Sequence, residues 1–133
     1  MPVIVVTRLR LRDPALFDEF FGHAVAVVEQ AQNSPGNLGA DVLAEANNTY
    51  WTRTAWQERN LMNAFVGSEP HLGTMSRIAD WCDEATFVDW EQASTDLPDW
   101  GTAALVCREG LSGESFAAYF IEGCLTSAGR MRP

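Results

Sequence analysis

The run VIVVTRLRLR at residues 3–12, closed by Asp13 and Pro14, decides the fold. Val3, Val5, Thr7, Leu9 and Leu11 share one side of an extended chain, and Ile4, Val6, Arg8, Arg10 and Arg12 share the other. A period of two predicts a first strand with apolar residues on both faces. Asp13 then reads as an N-cap with proline at the first helical position, and Leu16, Phe17, Phe20, Phe21, Ala24, Val28 and Ala31 recur at helical spacing. The first helix is predicted to run to about Asn33, where Ser34, Pro35 and Gly36 stop it.

Outward from that unit, residues 38–46 alternate, with Leu38, Ala40, Val42, Ala44 and Ala46 apolar, and predict a second strand. Asn47 and Asn48 tolerate positive φ and suit a tight turn into a third strand over residues 49–57, TYWTRTAWQ. A second helix is predicted in two pieces. Residues 58–66 carry Leu61, Met62 and Phe65; after Gly67, Ser68 reads as a new N-cap, with Leu72, Met75, Ile78, Ala79 and Cys82 inward. Residues 85–91 predict a fourth strand, residues 100–108 a short helix, and residues 114–125 a further helix with Phe116, Tyr119, Phe120 and Ile121 on its apolar side.

The order strand, helix, strand, strand, helix, strand predicts an α+β, ferredoxin-like domain over residues 1–96. It has a four-stranded antiparallel sheet and two helices on one face, and a helical extension over 97–133 docks on the domain or on a partner. Strands 1 and 3 are expected side by side and parallel in the centre, with strand 4 beside strand 1 and strand 2 beside strand 3. Asp89 and Glu91 on strand 4 are expected to face the arginine row of strand 1, where opposite charges on neighbouring strands attract. Ile4, Val6 and Phe87 leave the outer face too apolar for water, and a second copy of the chain is the expected cover, giving a homodimer.

Composition excludes several classes. At 133 residues and 47% hydrophobic the chain suits one core, and a net charge of −9 repels phosphate backbones and anionic lipid surfaces, so neither nucleic acid nor a membrane is an expected partner. No apolar run approaches a membrane span, and the opening MPVIVV lacks the basic start of a signal peptide. Cys82, Cys107 and Cys124 make no CxxC pair, which indicates neither a zinc site nor a disulfide framework and fits a reducing cytoplasm. Residues 80–99 hold seven acids and no base, but without a DxDxDG loop or HExxH they read as solvated faces, so no metal is expected.

Trp51, Thr52, Trp56 and Glu58, then Met62, Phe65, Gly67, Ser68 and His71, then Ala79, Asp80, Trp81, Asp83, Glu84 and Trp90, and finally Pro98, Asp99 and Trp100 carry a resemblance. Over roughly residues 3–95 the chain resembles the dimeric α+β barrel superfamily that includes the antibiotic biosynthesis monooxygenases, closest in feel to its short bacterial and spheroidene monooxygenase-like members. The resemblance implies a pocket between sheet and helices. Members include quinone-forming oxygenases that need no cofactor, haem-degrading oxygenases and proteins without known activity. The haem-degrading members use a histidine on the second helix, with a tryptophan before it and an asparagine on strand 1; the corresponding places here hold His71, Phe65 and Thr7.

His71 opens the apolar stripe continued by Met75, Ile78 and Cys82, which puts an imidazole at a pocket rim, as a general base, as an axial ligand to haem, or simply as a half-buried histidine near a helix start. Arg53 on strand 3 is a candidate partner for an anionic oxygen, or else half of a salt bridge; the alternation of Tyr50 and Trp56 against Trp51 and Ala55 leaves its face open. Trp51, Trp56, Phe65, Met75 and Trp81 are the candidate lining for an aromatic or polyene ligand, with core packing as the other reading of the tryptophans. His23 and Cys82 read as structural. The expected function is a monooxygenase-like protein with no dedicated cofactor; a haem-binding protein and a non-catalytic ligand- or partner-binding module are the alternatives.

Overall fold

In the computed structural model, residues 1–109 and 117–118 are described. Strand β1 (Val3–Leu11) lies at the centre of the sheet, hydrogen-bonded to β3 (Thr49–Trp56) on one side and β4 (Cys82–Glu91) on the other, while β2 (Asn37–Glu45) pairs with the far side of β3. The fold is α+β and ferredoxin-like. A two-residue strand β5 (Ala117–Ala118) joins the edge of β4, opposite Val88 and Asp89, so at those two positions the helix predicted over 114–125 gives way to edge pairing. The rest of that predicted helix lies outside the described residues.

Strands β1 and β3 run antiparallel, not parallel. The reason is the turn. The crossover through α1 (Phe17–Gln32) makes β2 run the same way as β1, and Asn47 and Asn48, both at positive φ (63° and 57°), then fold β3 back into the gap between them. A strand reached by a three-residue hairpin loop (residues 46–48) and lying between two parallel strands is antiparallel to both neighbours. At the other end of the crossover, Asp13 Oδ1 accepts from the Ala15 N–H at 2.9 Å and a single 3₁₀ turn, Pro14–Leu16, leads into α1.

The second helical segment is in three pieces: α2 (Arg59–Val66), α3 (His71–Met75) and α4 (Ile78–Trp81). Ser68 does not cap α3; its hydroxyl donates back to the Ala64 carbonyl at 2.7 Å, and Leu72 is exposed rather than inward. Cys82 starts β4 instead of ending a helix, so the strand begins three residues earlier than the alternation indicated.

That early start rewrites the charge ladder. Because β4 runs antiparallel, its C-terminal Asp89 and Glu91 fall beside Val5 and Val3, at the opposite end from the arginines. The acids that meet the arginines are Glu84 and Asp83: Arg8 Nη1 to Glu84 at 2.6 Å, Arg10 Nε to Asp83 at 2.8 Å and Arg10 Nη1 to Glu84 at 3.0 Å. A bulge between Arg10 and Leu11 lets two consecutive acids address one arginine. Arg12 instead donates to the Ala79 and Cys82 carbonyls.

The odd-numbered side of β1 faces α1, α2 and α4. Leu9, Leu11, Phe20, Ile78, Trp81, Ala85 and Phe87 form one cluster there, and Val3, Ala31, Trp56, Met62 and Phe65 another. On the outer face the chain supplies its own cover. Helix α5 (Trp100–Glu109) sets Ala103 and Val106 against Ile4, Val6, Trp51, Ala55, Val88 and Trp90. Phe87, expected on this outer face, lies instead on the helix side opposite Thr7, and the apolar surface of Ile4 and Val6 that pointed to a second copy is covered within one chain. Arg53 fastens this arrangement: it pairs with both carboxylate oxygens of Asp41 (2.6 and 2.8 Å), donates to the Pro98 carbonyl at 2.6 Å and lies 4.2 Å over the Trp100 ring.

Gly36 ends the turn after α1 at φ 83°, and a Cβ there would lie 2.9 Å from Leu61 Cβ. Gly36→Ala is expected to cost about 2 kcal/mol, from the left-handed backbone and the contact with Leu61, read as a lower urea midpoint at unchanged slope.

Candidate functional site

Between the sheet and the helices lies a cavity of about 140 Å³. Its floor is Val5 and Thr7 of β1, Thr52 and Thr54 of β3, Ala40 of β2 and Phe87 of β4; its walls are Phe20, Ala24, Val27, Val28 and Ala31 of α1, Met62, Phe65 and Val66 of α2, and His71, Thr74 and Met75 of α3. Val5, Thr7, Thr52 and Thr54 sit on central strands beneath helices, where side chains are ordinarily sealed, yet each stays only partly buried. The helices do not close down on them. The opening lies between α1 and the junction of α2 and α3, where the second helical segment is interrupted.

His71 is held at two points. Its backbone N–H donates to Gln30 Oε1 at 2.8 Å, and ring Nδ1 lies 3.0 Å from the Val66 carbonyl, which can only accept. Nδ1 therefore carries the proton and Nε2 is the bare, basic nitrogen. Among the described residues Nε2 has no hydrogen-bond partner. Burial pushes the imidazole below its ordinary value of 6.5, outweighing the opposite pull of the Val66 hydrogen bond. The ring also leans on Phe65 (4.7 Å between centroids), which stacks on Trp56 (4.9 Å).

Gln30 is the positioning residue that sequence reasoning missed. From α1 its amide nitrogen reaches the Phe65 and Ser68 carbonyls, each at 3.3 Å, while its oxygen holds His71, so one side chain ties α1 to the junction of α2 and α3. Its signal was slight: a glutamine flanking the stripe of Val27 and Ala31. The threonines were missed as well. Thr7 and Thr52 hydrogen-bond each other through their hydroxyls, and Thr54 Oγ1 accepts from Trp56 Nε1 at 2.9 Å, leaving the Thr54 hydroxyl hydrogen free to donate.

Of the residues singled out from the sequence, His71, Phe65 and Met75 come together around the cavity. Trp56 and Trp81 are core residues behind its wall, 0% and 1% exposed. Trp51 and Arg53 lie across the sheet, in the α5 layer. Arg53 and His71 therefore do not share a site: the register Val6↔Arg53 places the guanidinium with the even-numbered side of β1. His23 contacts Thr74 Oγ1 at 3.3 Å and the Trp81 ring at 5.0 Å, outside the cavity lining. Among the described residues no group of three or more His, Cys, Asp or Glu could hold a metal ion, and no helix is long and apolar enough to cross a membrane.

No protein-family model matches the sequence, and comparison with curated proteins finds no match. Solved structures do match. A variant of SnoaB, a cofactor-independent oxygenase from Streptomyces nogalater, aligns at TM-score 0.59 and 14% identity over 71% of this chain and 95% of that one. Rv0793 from Mycobacterium tuberculosis aligns at TM-score 0.63 and 16% identity over 71% of this chain and all of that one. An antibiotic biosynthesis monooxygenase aligns at 0.61 and 15% over 69% and 99%. At such identities the likeness is one of fold.

Proposed function

Starting from the antibiotic biosynthesis monooxygenase-like fold that this chain has, we propose that it is a monooxygenase-like protein acting on an aromatic small molecule held between the sheet and the helices. The observation that carries this reading is His71: a neutral imidazole with its proton fixed on Nδ1 and a bare Nε2, on the wall of an apolar cavity. An apolar wall strengthens the hydrogen bond between Nε2 and an acidic hydroxyl and excludes competing water.

For an electron-rich hydroquinone the chemistry balances without a further reductant. Nε2 accepts the phenolic proton, the phenolate passes electrons to dioxygen, one oxygen atom bonds to a ring carbon, the hydrogen of that carbon leaves as a proton to the outer oxygen and the O–O bond breaks. The second oxygen leaves as hydroxide, which takes the proton back from His71 as water. The product is a hydroxyquinone, and the two electrons that reduce the second oxygen come from the substrate. This agrees with the description of SnoaB as cofactor-independent. The test is oxygen uptake from methylhydroquinone by the wild-type protein and by His71→Ala.

Haem through His71 is the second reading, and the cavity does not fit it: a porphyrin is several times the size of one aromatic ring, and Phe65 and Val66 wall the imidazole closely. The homodimer belongs to this proposal in changed form. With α5 seated on the sheet, a second copy docks on the outer side of α5, where Leu105 is 46% exposed. Light scattering that returns the mass of one subunit removes it.

A further inference from the structure

We infer that the ligand of this cavity is an uncharged phenol built on a single six-membered ring. The inference rests on the cavity being the working site proposed above. Three observations converge on it. The first is volume: about 140 Å³ is close to the roughly 150 Å³ of an apolar protein cavity that holds one benzene. A second fused ring has to displace wall atoms, where overpacking is unfavourable, or protrude through the open side, where it gains no further burial. The extended chain of a polyene meets the same limit.

The second observation is charge. Among the described residues no arginine lines the cavity, and its two ionisable neighbours are spoken for. His71 is held neutral by burial, and the Asp41 carboxylate is turned to Arg53 in the α5 layer. A carboxylate on the ligand would lose its water and find no cation in return among the described residues.

The third is the placement of the polar atoms. Apolar side chains make most of the wall, but the floor carries the Thr7 and Thr52 hydroxyls and the donating Thr54 hydroxyl, while the bare His71 nitrogen belongs to the opposite, helical side. A flat ring with one hydroxyl satisfies one of these sides; a ring with hydroxyls at opposite ends satisfies both. A hydroxyl that meets a fixed acceptor is favoured over a ring lacking it, because the buried polar group is otherwise left unpaired.

Calorimetric titration of the full chain with 4-methylphenol, 1-naphthol, 9-phenanthrol and 4-hydroxybenzoate tests this. The expected order is 4-methylphenol tightest, 1-naphthol weaker by about tenfold, and 9-phenanthrol and 4-hydroxybenzoate weaker by at least that factor. Met75→Ala, which enlarges the wall, should move the preference toward 1-naphthol; this variant separates a size limit from a general dislike of larger rings. Binding of 9-phenanthrol or 4-hydroxybenzoate as tight as that of 4-methylphenol, or no binding of 4-methylphenol at millimolar concentration, overturns the inference. Failure of the functional reading looks different. In that case 4-methylphenol binds with the stated order, and His71→Ala consumes oxygen from methylhydroquinone as fast as the wild type.

Discussion

His71→Ala is expected to lower kcat/KM for methylhydroquinone oxidation by about 10² to 10⁴, the range that a positioned general base contributes. The substitution removes the basic Nε2 from the cavity wall and leaves Phe65, Met75 and the threonine floor in place. Affinity for 4-methylphenol should therefore change far less than turnover, since an apolar pocket binds a ring mainly through its area. His71→Gln keeps a polar side chain of similar reach but no base, and it should lose turnover to the same extent. The pH profile gives an independent check. Burial holds the folded imidazole below 6.5, so at pH 7 it is deprotonated and the rate is flat; activity falls only on the acid side of 6.5, as His71 takes up a proton. Stability moves the same way. As the pH drops below 6.5 the unfolded chain binds the proton first, and the folded state loses stability down through its own lower value. An acid limb centred above 6.5 would show that the imidazole is not the buried base described here.

How far this site was legible follows from which residues carry period. Alternation in β1 was readable because Arg8, Arg10 and Arg12 mark one side, and the helical stripe that begins at His71 was readable because Met75 and Ile78 follow at the right spacing. Strand β3 has no such mark. Trp51 and Ala55 are buried on one face and Trp56 on the other, so both faces are apolar and the sequence pattern does not say which side Arg53 takes. A one-residue change of register flips it. The arginine ladder was readable in sign but not in partner, because the bulge and the early start of β4 are decided by hydrogen bonding across the sheet. The outer face told that something must cover it. It could not tell what, since the residues of α5 that do so, Ala103 and Val106, are individually unremarkable. Gln30 works through two carbonyls and one N–H of a distant turn, and such contacts leave no trace in local pattern.

The largest expected loss of stability is at a pair that the sequence placed elsewhere. Asp89 is 0% exposed, on the helix side of β4 beside Val5, and its one ionic partner among the described residues is Arg59 at the start of α2, 3.0 Å away. The second carboxylate oxygen, Oδ2, has no hydrogen-bond partner among the described residues. Arg59 thus neutralises a charge that the neighbouring Val5 cannot solvate. Arg59→Met keeps much of the aliphatic stem and removes the guanidinium, so the buried carboxylate is left uncompensated; the expected cost is about 3 to 5 kcal/mol in urea unfolding. If desolvated charge is the cause, adding Asp89→Asn to Arg59→Met should recover part of the loss, and Asp89→Leu most of it, because an apolar pair of similar volume needs neither water nor a counter-ion. Asp89→Leu alone strands only the arginine, which is 36% exposed and can turn to solvent, so it should cost less than Arg59→Met alone. Equal losses for the two single variants, with no recovery in the double, would mean that the pair acts through packing and not through charge.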